Sequence, residues 1–233
     1  MTRPPLTYFG NKARLSKQII EHFPPHSIYV EVFGGSAAVL FAKPPAKVGV
    51  LNDLDGELVN FCKVVRTPSL LAQLISELEL TLYSREEFEL AQHGSSDPVE
   101  RARRMMVRHR QSHSGLGANW SYSIKDSSVG MASSVRRWHA GIERLFPAHT
   151  RLRNVQVEHR DFREIFNRFD SLTTLFYVDP PYPASTRMSG KYKYEMTMDD
   201  HRELMQILVN LKGKTVLSTY EHDVHQPLRE AGW

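Results

Sequence analysis

Asp179-Pro180-Pro181-Tyr182 puts a carboxylate, two rigid prolines and an aromatic ring within four residues. Each proline lacks an amide hydrogen, holds φ near one value and restricts the residue before it. The turn is therefore stiff, and the carbonyls of Asp179 and Pro180 point in fixed directions. An amino group on an aromatic ring is a poor nucleophile because its lone pair is delocalised into the ring. Two acceptors on its hydrogens, the Asp179 carboxylate and the Pro180 carbonyl, favour a pyramidal nitrogen and stabilise the positive charge that grows there during attack on a methyl donor. Tyr182 offers a face on which a flat base stacks. The chemistry that these residues fit is methylation of a nucleobase amine.

Such a turn must be presented by something firm. The apolar run Thr173 to Val178 predicts a strand leading into it, and open α/β sheets place their ligands beyond the carboxyl ends of strands. A second constellation, Phe33-Gly34-Gly35-Ser36, follows a predicted strand over Ile28 to Val32 and opens a predicted helix over Ala37 to Ala42. Glycines there let the backbone approach a ligand closely, and the helix start offers amide hydrogens. Asp53 ends the next predicted strand, Val48 to Leu51, at about the spacing where an acidic residue meets ribose hydroxyls in dinucleotide folds. The full glycine fingerprint of a nicotinamide site is missing. By itself the turn suits helix packing as well as any adenosine-bearing ligand, NAD and S-adenosylmethionine alike; the Asp179 turn selects the methyl donor.

The remaining pattern is α/β with a helical stretch inserted. Helices are predicted over Glu57 to Arg66, stopped by Thr67-Pro68, and over leucine-rich Ser69 to Leu82. Ser84 with Glu87 makes a capping box, and Asp97-Pro98 opens a helix running to about Arg110. Gln111 to Ser134 has no clear period and reads as a long functional loop, closed by a helix over Val135 to Phe146. Strand character resumes at Asn154 to Glu158 and Lys214 to Ser218. Before the last of these, Thr197 with Asp200 starts a helix whose apolar face is Leu204, Ile207, Leu208 and Leu211. The expectation is a parallel sheet of at least five strands.

The chain has 233 residues with 41% hydrophobic content, enough for one large domain or a core domain with an insertion. No apolar run approaches a membrane span and the N-terminus lacks a signal-peptide stretch, so a cytoplasmic protein without membrane attachment is expected. Cys62 is the only cysteine, which excludes an intrachain disulfide and a cysteine cluster for zinc; it is expected in a buried helix position. His222 and His225 lack further credible ligands, and displacement at a sulfonium needs no metal. A net charge of +4 and a pI near 9.2 suit a protein that meets polyanions. The charge is concentrated: Arg101 to Arg153 holds ten arginines and one lysine against Asp126 and Glu143.

Taken in order, the blocks Tyr8-Phe9-Gly10-Asn11-Lys12, Glu31-Val32-Phe33-Gly34-Gly35-Ser36, Asn52-Asp53, His159-Arg160-Asp161-Phe162 and Asp179-Pro180-Pro181-Tyr182 resemble the Dam-like adenine-specific DNA methyltransferases of bacteria and phages. The resemblance covers essentially the whole chain. It implies a Rossmann-like S-adenosylmethionine-dependent methyltransferase sheet with a helical target-recognition insertion. Residues 1–66 and 154–233 would form the catalytic domain and 67–153 the basic, DNA-binding insertion. Tyr8 and Lys12 would contact the methionine part of S-adenosylmethionine, Phe33, Gly34 and Gly35 would line that site, and Asp53 would bind ribose hydroxyls. Asp161 would accept from the cofactor adenine amine beside Phe162. Asp179, which borders the cofactor as well, would hold the target adenine with Pro180, Pro181 and Tyr182.

Each assignment has a plainer counterpart. Tyr8 and Phe162 read equally as core aromatics, Asp161 as a helix N-cap, Lys12 as a solvated lysine. In the basic segment, Arg108, Arg110, Arg136 and Arg137 are candidates for phosphate contacts in double-stranded DNA. Gln111, Ser112, His113 and Asn119 are candidates for base contacts, and Trp120 is a candidate inserting ring. The target base must leave the duplex, because its amine is engaged in pairing.

The chain stops at Gly232-Trp233 after a predicted short helix, where relatives continue into further strands, leaving an exposed edge in a fragment, a shortened phage protein or a decayed gene. One rival is therefore a DNA-binding relative without catalysis. Others are a methyltransferase for cytosine amine or RNA and a nicotinamide oxidoreductase. A monomer is expected, and a cognate restriction endonuclease is a candidate partner.

Overall fold

A computed structural model describes residues 2–124, 130–187 and 192–233. The first half runs α1 (Ser16–Glu21), β1 (Ile28–Glu31), α2 (Ala38–Ala42), β2 (Val48–Asn52), α3 (Gly56–Arg66), α4 (Pro68–Leu80), α5 (Arg85–Leu90) and α6 (Pro98–Arg110). The second runs α7 (Ser133–Ile142), α8 (Leu145–Leu152), β3 (Val155–Glu158), α9 (Phe162–Phe169), β4 (Thr174–Val178), α10 (Met198–Asn210), β5 (Lys214–Leu217) and α11 (Gln226–Glu230). The chain divides into two compact units. One is helical and comprises Met1–Lys17, Gly35–Pro44 and Gly56–Val155; the other comprises Gln18–Gly34, Pro45–Asp55 and Gln156–Trp233.

The second unit is built on a five-stranded sheet of order β3-β2-β1-β4-β5. β1 pairs in parallel with both β2 and β4, and β4 pairs in parallel with β5. This is the expected Rossmann-like α/β arrangement. Strand order reverses between β1 and β4, the switch point at whose carboxyl ends such sheets bind ligands. All five residues of β4 are buried, as a central parallel strand requires. Val30, Val32, Phe176 and Val178 form a core with Phe162, Ile165 and Phe166 of α9 and Leu204 and Leu208 of α10. Each such side chain removed from water contributes roughly 1.5–3 kcal/mol. The helix α10 begins with the expected complete capping box, in which the Thr197 hydroxyl accepts from the Asp200 amide and the Asp200 carboxylate accepts from the Thr197 amide.

In the helical unit, α3 packs against α4, α6 and α8. The residues Leu71, Leu74 and Leu78 form one buried stripe on α4, and Cys62 is buried on α3. The Asp97 carboxylate caps α6 by accepting from the Glu100 amide at 2.7 Å, with Pro98 in the first turn, and Ser84 caps α5 by accepting from the Glu87 amide at 3.1 Å.

The single helix expected over Val135 to Phe146 is instead two, α7 and α8. Pro147 has no amide hydrogen and fits only a first helical turn, so a new helix begins just before it. The stretch expected to be an irregular loop holds a short 3-10 turn at His113–Gly115 and an antiparallel bridge between Ser112 and Trp120. Lys125 and Asp126 lie outside the described residues. No helix is long and apolar enough to cross a membrane among the described residues.

Candidate active site

β4 ends at Val178 and delivers Asp179, half-buried, followed by buried Pro180 and half-buried Tyr182. The Tyr182 hydroxyl donates to Asp179 Oδ1 at 3.1 Å and lies 3.2 Å from Ser218 Oγ. Ser218 follows β5, and its amide donates to the Val178 carbonyl at 2.8 Å, so the β4–β5 ladder continues to the edge of the turn. The ring of Tyr220, 59% exposed, meets the Tyr182 ring at 5.1 Å and 74° in a T-shaped contact. Ser218 and Tyr220 were not anticipated. Their signal is that β5 neighbours β4, which becomes visible only once strand order is known.

Beneath the turn, the buried Tyr29 hydroxyl donates to Glu31 Oε2 at 2.8 Å. Glu31 is itself buried and lies opposite Tyr177 in the β1–β4 register. Burial, with the carboxylates of Asp179 and Glu31, pushes the Tyr177 hydroxyl far above its ordinary titration range. The nearby Ser218 hydroxyl acts in the opposite direction and outweighs none of these.

β1 and β2 come together at Gly34. The Gly34 amide donates to the Asn52 carbonyl at 2.8 Å, and an added Cβ would lie 2.8 Å from Leu51 Cδ1 and 2.9 Å from that carbonyl. Glycine is required here by strand packing. Buried Asn52 donates through Nδ2 to the carbonyls of Val32 at 2.9 Å and Arg160 at 3.0 Å, while its Oδ1 accepts from the Arg160 amide at 2.9 Å. One amide thus ties the end of β1 to the segment carrying Asp161. Asp53, half-buried, accepts from the Asp55 amide at 2.8 Å, and Lys193 bridges to Asp55 at 2.7 Å.

Asp161 caps α9 by accepting from the Arg163 amide at 2.9 Å, and the Arg163 side chain bonds both of its oxygens at 3.1 Å. The same guanidinium reaches Glu203 and Asp200 at 2.7 Å each, which raises its already high pKa further. It also lies 4.3 Å from the centre of the Phe162 ring. Phe162 is a core aromatic whose ring sits 5.8 Å from that of half-buried Phe33.

The other candidates belong to the helical unit. Gly35 adopts φ +49°, and the Tyr8 ring comes within 3.4 Å of where its Cβ would stand. Tyr8 also stacks on His109 at 4.9 Å. Half-buried Lys12 donates to the Gly10 carbonyl at 2.9 Å.

In the basic segment many polar groups turn inward. Gln111 is fully buried, donating to the Leu82 carbonyl at 3.0 Å and accepting from the Trp120 indole at 3.4 Å. Ser112 is buried and accepts from the Gly117 amide at 2.9 Å. Arg110 donates to Thr7 Oγ1 at 3.0 Å, while its Nε and Nη2 are buried without partners among the described residues. Burial, aided by nearby Arg144 and Arg137, lowers its pKa to about 10. Arg108 donates to the Ala91 carbonyl at 3.3 Å. Asn119, Arg136 and Arg137 are exposed. Trp120 is half-buried between Tyr83 and Tyr122, at ring distances of 5.8 and 6.0 Å, with the Arg85 guanidinium 4.8 Å from its ring centre.

A family model described as D12 class N6 adenine-specific DNA methyltransferase matches residues 8–228. Among curated proteins no relative matches the chain.

Proposed function

We propose how this chain, which belongs to the D12 class of N6 adenine-specific DNA methyltransferases, uses its own residues to methylate adenine in DNA. The target adenine is turned out of the duplex, stacks on Tyr182, and has its amine held by the Asp179 carboxylate and the Pro180 carbonyl. S-adenosylmethionine supplies a methyl group on a sulfonium, a good leaving group, when bound. The half-exposed carboxylates of Asp53 and Asp161 suit ribose hydroxyls and an adenine amine respectively, and Phe33 and Phe162 offer adjoining rings. Within the helical unit, Tyr8, Lys12 and Gly35 are the candidates for the methionine part of the donor.

The observation that carries the reading is the direction of the Tyr182 hydroxyl. It donates to Oδ1 of Asp179 at 3.1 Å and so fixes the carboxylate, whose two oxygens are acceptors suited to an amine N–H, at the carboxyl end of β4. Flipping a base costs a few kcal/mol, and stacking on an aromatic returns roughly 1–3 kcal/mol, so Tyr182 offsets much of that cost. As charge builds on the nitrogen, the two acceptors are already in place, and no solvent has to reorganise. On the helical unit, exposed Arg136 and Arg137 of α7 would contact phosphates, with Asn119 and Trp120 available to bases.

The test is transfer of labelled methyl from S-adenosylmethionine to mixed-sequence duplex DNA, with nucleoside analysis of the product. Asp179→Ala should lower turnover at least about a hundredfold while sparing DNA binding and thermal stability. Near-normal turnover by that variant would remove Asp179 from the role.

A further inference from the structure

We propose that Ser218, outside the Asp179 to Tyr182 turn, is a positioning residue for methyl transfer: through the Tyr182 hydroxyl it fixes the direction of the Asp179 carboxylate. The inference rests on the reading that Asp179 holds the target amine.

The hydrogen bonds have one consistent polarity. Tyr182 has a single hydroxyl proton, and an ionised carboxylate can only accept. With the Tyr182 proton directed to Asp179 Oδ1 at 3.1 Å, the contact of 3.2 Å to Ser218 is made by the Ser218 hydroxyl donating to the Tyr182 oxygen. A directed chain results, from Ser218 to Tyr182 to Asp179.

Both ends of that chain are anchored in backbone. Asp179 follows β4 directly, and Ser218 follows β5 with its amide bonded to the Val178 carbonyl at 2.8 Å. The side chain in the middle is the one whose ring would support the base. Its outer end is tethered by the two hydroxyl contacts, and its ring is met by Tyr220 at 5.1 Å. The plane on which the base stacks and the oxygen that receives its amine are therefore set by one side chain, and Ser218 holds that side chain from behind. Misplacing such groups by a fraction of an ångström is felt at the reacting atoms more than in ground-state affinity.

The experiment compares Ser218→Ala, Ser218→Thr, Tyr182→Phe and the Ser218→Ala/Tyr182→Phe pair in the full chain, measuring kcat and KM for DNA and S-adenosylmethionine together with thermal unfolding. Tyr182→Phe keeps the ring and removes the hydroxyl. A hydrogen bond to a charged group corresponds to roughly a ten- to hundredfold effect. Accordingly, Tyr182→Phe should lower kcat roughly ten- to hundredfold and Ser218→Ala roughly tenfold, with both KM values little changed. The pair should lose no more than Tyr182→Phe alone, because the two act as one chain. Ser218→Thr, which keeps a hydroxyl, should restore most of the rate. Wild-type kcat in Ser218→Ala or in Tyr182→Phe, or fully additive losses in the pair, overturns the chain. A loss in Ser218→Ala that follows its unfolding temperature and is not restored by threonine overturns it too. If Asp179→Ala is itself active, the reading of the turn has failed, and the chain with it.

Discussion

The strand ends and the basic segment both display charge in the sequence, and the fold uses it in opposite ways. At the strand ends, Asp53 and Asp179 remain half-exposed, each steadied by a local donor. In the segment 101–153, most arginines are engaged inside the protein. Arg101 pairs with Glu57 at 2.9 Å, Arg103 bridges Glu100 and Glu87, and Arg104 reaches Glu100 and the carbonyls of His93 and Gly94. Arg151 donates to the Leu40 carbonyl and Arg144 to that of Pro4. Exposed Arg136 and Arg137 are left facing solvent. Where a charge falls in sequence tells what a segment contains; the partners it finds decide what remains for a ligand.

The sharpest way to break this contrast is to disturb what steadies the strand ends. In Gly34→Ala the new methyl would press on the Asn52 carbonyl and Leu51 side chain at 2.9 and 2.8 Å, and a backbone carbonyl in a sheet yields poorly. The expected cost is about 1–3 kcal/mol in a urea unfolding midpoint, with methyl transfer falling further than stability because Asn52 also holds the Arg160 backbone. In the helical unit, Gly94→Ala meets nothing within 4 Å and should change neither, to within about 0.5 kcal/mol. Equal effects at the two positions would mean that the strand ends are no more closely determined than a surface turn.

What could be read beforehand divides along the same line. The Thr197–Asp200 capping box, the Ser84 cap, the Asp97-Pro98 helix start and the Asp179 turn are local patterns, and local hydrogen bonding fixes them. Strand existence was legible too, because β1, β2 and β4 are apolar runs. The Asn52 bonds to Arg160 join residues 108 positions apart, and the Tyr182 contact with Ser218 spans 36, so no window of sequence displays either. Inward-turned polar residues were the hardest to see. Gln111 reads as a base-contacting group until the Leu82 carbonyl and Trp120 indole are found beside it. Pro147 lies one residue beyond the helix expected over Val135 to Phe146, and its tolerance of a first helical turn is the local signal for the start of α8.

A paired substitution separates the two uses of arginine. Arg103→Met leaves Glu87 without the cation whose own pKa these bonds raise and leaves Glu100 to Arg104, and should lower stability by about 1–3 kcal/mol. It should leave the salt dependence of DNA binding unchanged. Arg136→Gln with Arg137→Gln should do the reverse, keeping the unfolding midpoint while weakening binding, with the log–log salt slope shallower by about 0.9 for each phosphate no longer neutralised. Fluorescence anisotropy at several salt concentrations measures the slope. A shallower slope in Arg103→Met, or an unaltered one in the double variant, would dissolve the distinction.

The smallest effect concerns a cation that crosses the contrast. Arg163, in the sheet unit, is engaged as fully as Arg103, since it bonds Asp161, Asp200 and Glu203. The Thr197 hydroxyl, then Arg163, holds the Asp200 carboxyl down to about 2, against an ordinary value of 3.8. A depressed carboxyl pKa contributes stability that is complete above the unfolded value and is lost as pH falls through the folded one. The contribution of Asp200 should therefore be intact near pH 5 and disappear between about pH 4 and pH 2. Asp200→Asn keeps an acceptor for the Thr197 amide but cannot titrate, so the stability difference between wild type and variant should shrink across that window. The group is partly exposed, and solvent screening keeps the change small. A difference that stays constant with pH would show that Arg163 is held by Glu203 and Asp161 without help from Asp200.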